Sequence, residues 1–194
     1  MALLDPIPEQ NFEKARDMIA QILVSEFAVN SINPKVYTER VQEIDKSNFP
    51  AVNVVFEGLS NQSLNNSDND GTYTFNIDCY SNGKATATTS AGSNASVSLH
   101  RLIAITKQVL LNQVYKNLLF AVNERVVLHR SITSIQTADP FQGQDSNGSV
   151  MARLVLVLKL SDVMQKDEAV TINKIVTTVR VKPGDSGFLW ESNL

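Results

Sequence analysis

At 194 residues the chain has one-domain length, and its 43% hydrophobic and 19% charged content is globular, too apolar for a wholly disordered chain. A formal net charge of -3 excludes a molecule-wide basic field for holding nucleic acid through its phosphates. A single cysteine, Cys79, excludes an internal disulfide framework and fits a reducing compartment.

The start, Met1-Ala2-Leu3-Leu4-Asp5-Pro6, lacks the basic segment of a signal peptide, and no apolar run approaches the ~20 residues that span a membrane. The expectation is a protein that acts or is assembled inside a cell, with no membrane. The Asn-x-Ser triplets at Asn61, Asn65, Asn94 and Asn147 then read as products of Asn- and Ser-rich loops rather than glycan sites.

Asp5-Pro6 and Pro8-Glu9 place proline and acid where a helix N-terminus favours them, and the first helix is expected over Glu9 to Val29. Phe12, Ala15, Ile19, Ile22, Leu23 and Phe27 fall on one stripe of it, with Glu13, Lys14, Arg16, Asp17 and Gln21 mostly opposite. Asn33-Pro34 closes this region, and a short strand is expected over Val36 to Val41. Pro50 then leads into a β-branched run, Ala51 to Phe56, a second strand.

The polar segment Gly58 to Gly71 reads as a long hairpin tip. Thr72 to Tyr80 alternates with a period of two. Tyr73, Phe75, Ile77 and Cys79 face one way, Thr74, Asn76 and Asp78 the other, as in a strand with one buried face. Ser81 to Gly92 is a small polar connector, and a second helix is expected from Ser93-Asn94 to about Leu119. Its apolar stripe is Val97, Leu102, Ile105, Val109 and Leu110.

Val126 to Leu128 and Ser131 to Gln136 read as strands, and Thr137 to Ser149 as a second polar loop. Val150 to Leu160 is the longest strand, apolar on one face and mixed on the other (Arg153, Val155, Val157, Lys159), the pattern of a central strand. A last strand is expected over Val170 to Val181, followed by a C-terminal arm, Lys182 to Leu194. The reading is α+β: a mixed, mainly antiparallel sheet with two amphipathic helices packed on one face. It makes residues 1–181 a single domain and 182–194 an arm.

Catalytic chemistry is not signalled. The phosphate-cradling G-x-x-x-x-G-K-[ST] loop and G-x-G-x-x-G are missing, and two histidines, His100 and His129, with one cysteine make no metal-ligand spacing. No cofactor and no metal are expected. His100, Arg101 and Lys107 read as a solvated helix face, and Asp68 with Asp70 as a solvated loop without the ligand spacing of a calcium loop. Gly184-Asp185-Ser186-Gly187 resembles the nucleophile loop of chymotrypsin-like proteases. Phe188, however, stands where that loop has a glycine, and neither His100 nor His129 has the surroundings of a catalytic base. A Pro-Gly turn in the arm is the better reading.

The order of elements, with Phe49-Pro50-Ala51-Val52-Asn53-Val54-Val55, Gly71 to Tyr80, the helix of Asn94 to Leu119 and the pair Ile132–Gln136 and Met151–Leu160, resembles the tail-terminator (tail completion) proteins of long-tailed bacteriophages. The match spans most of Glu9 to Leu160 and is one of pattern. The resemblance implies a structural virion protein, not an enzyme. It implies a homohexameric ring that caps the tail tube, ends tail polymerisation and meets the neck or head-completion protein, with the tail sheath as a further neighbour. DNA would pass through the lumen without specific binding, and the protein would be found in the virion after assembly in the host cytoplasm.

The expected interface residues are Asp68 and Asp70 in the first polar loop, Phe141 in the second, and Phe188, Leu189 and Trp190 in the arm. Another neck, head-closure or baseplate component, or an α+β enzyme whose residues converge only in three dimensions, are the alternatives.

Overall fold

The computed structural model describes residues 9–64, 69–121, 124–138, 148–162, 175–179 and 188–192. The chain divides into two compact units, Met1–Val163 and Met164–Leu194. The first holds helices α1 (Asn11–Val29) and α2 (Ala91–Leu111) and strands β1 (Lys35–Thr38), β2 (Ala51–Leu64), β3 (Asn69–Asn82), β4 (Val127–Ala138) and β5 (Ser149–Asp162). The second holds strands β6 (Ile175–Val179) and β7 (Phe188–Ser192).

The five strands of the first unit form one sheet in the order β1-β2-β3-β5-β4. Only β1 and β2 run parallel, and the other three pairings are antiparallel, so the sheet is mixed and mainly antiparallel as the sequence led us to expect. β5 is central, between β3 and β4. Tyr73, Phe75, Ile77 and Cys79 of β3 and Ala152, Leu154, Leu156, Leu158 and Leu160 of β5 are all buried in one core with the apolar stripes of both helices. The α1 stripe is the expected one: Ala15, Ile19, Ile22, Leu23 and Phe27 are buried, and the Phe12 ring lies 4.7 Å from Phe56 and 5.7 Å from Tyr73.

Several boundaries depart from the sequence reading, β1 among them, which ends at Thr38 rather than Val41. The expected hairpin tip at Gly58–Gly71 is largely strand, with pairing maintained to Leu64↔Asn69 across two register shifts. Polar residues there extend the ladder because the backbone supplies the bonds and β5 runs alongside as far as Asp162, opposite Asn69. Gly71 is needed by close approach: a Cβ there would stand 2.6 Å from the Tyr73 ring and 2.8 Å from the Leu59 side chain.

α2 starts earlier and ends sooner than expected. Ser90 is its N-cap, its Oγ accepting from the Ser93 N–H at 3.2 Å. Beyond Leu111 the chain leaves the helix. Asn112 caps a following 3-10 turn, Gln113–Tyr115, by accepting from the Val114 N–H at 3.0 Å. The Arg130 guanidinium donates to the carbonyls of Asn112 (2.5 Å) and Tyr115 (2.6 Å), which fixes the break from a distant strand. Val97 is also corrected: it is 67% exposed, and the buried stripe runs instead through Ala95, Leu99, Leu102, Ile103, Ile105, Thr106, Val109 and Leu110.

The two strands expected around Val126–Gln136 are one strand, β4, bent by register shifts at Val127/His129 and Ile132/Ser134. Of the last expected strand, Ile175–Val179 are described and form β6, and residues 188–192 of the expected arm form its antiparallel partner, β7. The Gly184–Gly187 motif lies outside the described residues, as do Asp68 and Phe141.

Candidate functional site

Because side chains alternate along a strand, burying one face of β3 and β5 commits the intervening residues to the face away from the helices. That second face carries Asn53 and Val55 of β2, Thr74, Asn76 and Asp78 of β3, and Arg153, Val155 and Val157 of β5, set side by side by the register. Asp78 and Arg153 are directly opposite each other and form a two-pronged ion pair at 2.7 and 2.8 Å. The Asp78 side chain is 5% exposed and that of Arg153 43%. The carboxylate is thus sunk into the sheet surface and the guanidinium forms its lid. The Asp78 hydrogen bond is the main cause that raises the Arg153 pKa, against an opposing effect of burial.

The segment Glu39–Ile44 folds over one end of this face. Asn53, buried on β2, anchors it in both directions: its Oδ1 accepts from the Arg40 N–H at 3.2 Å and its Nδ2 donates to the Arg40 carbonyl at 2.9 Å. Glu39, with φ of 50°, turns its carboxylate back to accept from the Phe56 N–H at 2.8 Å, and Arg40 lies 4.8 Å over the Tyr37 ring. Between segment and sheet is a concavity of about 380 Å³, with Asp78, Arg153, Tyr80 and Met151 on its floor and Val41, 98% exposed, on its rim.

One atom on this face is unsatisfied. Asn76, 5% exposed and flanked in register by Val55 and Val155, has a buried Oδ1 with no hydrogen-bond partner among the described residues. Leaving a buried acceptor unmade costs roughly 1–3 kcal/mol. The neighbouring Tyr80 hydroxyl is pushed up to about 12, chiefly by burial and then by the Asp78 charge, so it remains a neutral phenol at neutral pH.

In the concavity Asp78 is already paired with Arg153 and the Tyr80 phenol stays protonated, and Glu39 and Glu43 also line it. His100 lies exposed on α2, and His129 is exposed on β4. Cys79 lies on the opposite face, fully buried with its Sγ 4.0 Å from Thr106 Oγ1, and burial pushes its thiol up to about 12. No three His, Cys, Asp or Glu side chains among the described residues are grouped to hold a metal ion.

Of the interface residues expected from sequence, Asp70 is described with its surroundings. It sits in β3 rather than a loop, and its carboxylate meets Lys159 Nζ at 3.0 Å. Phe188, Leu189 and Trp190 lie in β7, away in sequence from Asp70 and in the other compact unit. Sequence reasoning missed Asn53, Asn76, Asp78 and Arg153. Asn76 and Asp78 read as the second face of a strand with one buried face, Arg153 as part of the mixed face of a central strand, and Asn53 as one residue of a β-branched run. The signal lay in Asp78 and Arg153 being opposite charges on two alternating strands.

None of the described helices is long and apolar enough to cross a membrane. No protein-family model matches the chain, and no curated protein does either.

Proposed function

We propose that this chain is a structural component of a long-tailed bacteriophage virion, a ring-forming protein that caps the tail tube, ends its polymerisation and joins tail to neck. The observation that carries the reading is that, among the described residues, both helices pack on one face of the sheet and none on the other. Two helices seal one side, while the other bears a buried ion pair, an orphaned amide acceptor and a concavity rimmed by exposed Val41. A surface part buried, part polar and built on rigid strands suits a protein that works by being packed between others. The order of elements, with the Phe49–Val55 and Gly71–Tyr80 segments in adjacent strands, supports placing it among tail-terminator-like proteins. The ring would be a homohexamer contacting the tail tube protein on one side and a neck or head-completion protein on the other.

The test is assembly. Light scattering on the purified chain is expected to give a hexamer mass, and negative-stain microscopy a ring. Added to polymerising tail tube protein, the ring is expected to stop growth at one end. A strict monomer that leaves tube length unchanged would sink the proposal.

A further inference from the structure

Single exposed hydrophobic side chains are ordinary, but a cluster of them marks a contact surface. Leu111, Val114, Leu119 and Leu128 are all exposed, and they come from the end of α2, the turns that follow it and the start of β4. There a groove of about 390 Å³ opens between α2 and the edge strand, lined by Leu111, Lys116, Leu128, His129 and Arg130 among others.

The groove is cationic. Residues 111–130 hold Lys116, Arg125 and Arg130 against a single acid, Glu124, and no acid lines the groove among the described residues. Arg130 is held by the carbonyls of Asn112 and Tyr115, yet no described carboxylate pairs with it. Burial lowers its pKa, so its charge is partly desolvated without an opposite charge to offset the cost. The occupant that suits this groove is an apolar side chain with a carboxylate close beside it.

The chain itself presents that pair elsewhere. Val41, at 98%, is the most exposed of the large hydrophobics described, and Glu43, two residues on, is exposed with its carboxylate unpartnered among the described residues. Residues 39–45 hold Glu39, Glu43 and Asp45 against one cation, Arg40. That cation is turned back onto the Tyr37 ring and the carbonyls of Gln42 and Glu43. Because Asn53 fixes the Arg40 backbone through both its N–H and its carbonyl, the projection is held ready, which lowers the ordering cost of docking.

Val41 cannot occupy its own chain's groove. It stands beside Met151 and Arg153 on the face away from the helices, whereas the groove lies against α2 where Arg130 pairs with Leu158. From Arg153 to Leu158 is five residues of β5, roughly 17 Å at about 3.3 Å per residue, with the thickness of the sheet to cross besides.

We infer that the Val41–Glu43 projection of one copy docks in the groove between α2 and β4 of a second copy, Val41 against Leu111 and Leu128, the Glu43 carboxylate toward Arg130 and Lys116. The two surfaces differ, so the contact is head-to-tail, and such contacts close into rings when the rotation per step allows. The inference rests on the ring reading and names what joins its subunits.

Full-length chains carrying Val41→Lys, which sets a cation against the cationic groove, or Leu128→Asp, which sets an acid against Glu43, test it by light scattering. Both sites are exposed, and far-UV circular dichroism and melting verify the fold. Wild type is expected to be a ring and each variant a monomer. Their equimolar mixture is expected to assemble again, since the intact projection of one chain then meets the intact groove of the other. Mixing a Val41→Cys chain with a Leu128→Cys chain is expected to give a disulfide-linked dimer under mild oxidation, without interference from the fully buried Cys79. If wild type is a ring and the variants keep its mass, or either mixture fails to associate, the docking contact is overturned and the ring reading survives. If wild type is itself a monomer, both fall.

Discussion

The two faces of β3 differ more than their sequence suggests. On the helix face, Phe75, Ile77 and Cys79 are completely buried in an apolar core shared with α1, α2 and β5. On the other face, Asn76 and Asp78 are almost as buried, at 5% and 4% exposure, although neither α1 nor α2 lies on that side. Around Asp78 the Glu39–Ile44 segment lines the surface, and the charge is handled by pairing with Arg153 rather than by exclusion. The first face is complete within the chain. The second holds one acceptor, Asn76 Oδ1, that the described residues leave unmet. A face that is dry and complete stabilises the fold, whereas one that is buried and unfinished is where a partner has most to contribute.

The largest expected effect lies on the finished face. Leu156→Ala, at 1% exposure on the central strand, is expected to destabilise by about 3–4 kcal/mol, read from the urea midpoint at unchanged slope. A loss below about 1 kcal/mol would mean that the core is looser than its burial implies. Next comes Arg153→Ala, which strands the Asp78 carboxylate in the sheet surface. A fully buried pair broken this way loses roughly 3–5 kcal/mol, and the half-exposed guanidinium reduces that here to about 2 kcal/mol. Arg153→Ala and Asp78→Asn combined are expected to lose less than the two singles together, since the double variant has no orphaned charge.

Asn76→Val sharpens the comparison most. It removes the orphaned acceptor and is expected to be neutral, or to stabilise the monomer by up to about 1 kcal/mol. Light scattering under the same conditions is expected to show weaker assembly. A variant more stable and equally assembled would show that no partner uses this atom.

The smallest effect at neutral pH concerns Cys79. Its thiol, ordinarily near 9.0, is pushed up to about 12 by burial, so the folded state binds a proton that the unfolded state releases first. Its contribution is therefore fully present below about pH 9 and lost as pH rises towards 12. Tyr80, with its hydroxyl also pushed up to about 12, acts in the same direction from the other face. Melting temperature is expected to be insensitive to Cys79→Val near pH 7 and to fall less steeply with alkali in that variant than in wild type.

Period and polarity in the sequence were enough for the sheet, the α1 stripe and the central place of β5. A six-residue α1 stripe and a nine-residue alternation in β3 leave one arrangement that buries all the apolar side chains together. They were not enough for the end of α2. Leu111 to Leu119 contains neither glycine nor proline, and the break is imposed by Asn112 and by Arg130 reaching from β4. The Gly58–Gly71 segment failed for a related reason, since its strand character is supplied by the ladder to β3 and by the length of β5.

The candidate site was half legible. Asp78 and Arg153 stand on strands whose alternation placed them on the same kind of face, but their 2.7 Å contact depends on a register that pairs residues 75 positions apart. No local pattern encodes such a register. The sequence by itself determined which residues seek water and which avoid it, because that follows from side-chain chemistry and the period of the backbone. Tertiary structure alone decided where each element stops, which polar groups on the helix-free face become buried, and that one of them, Asn76 Oδ1, goes unmatched. Those outcomes depend on which distant atoms arrive within hydrogen-bonding distance, and that is settled only when the strands are laid side by side.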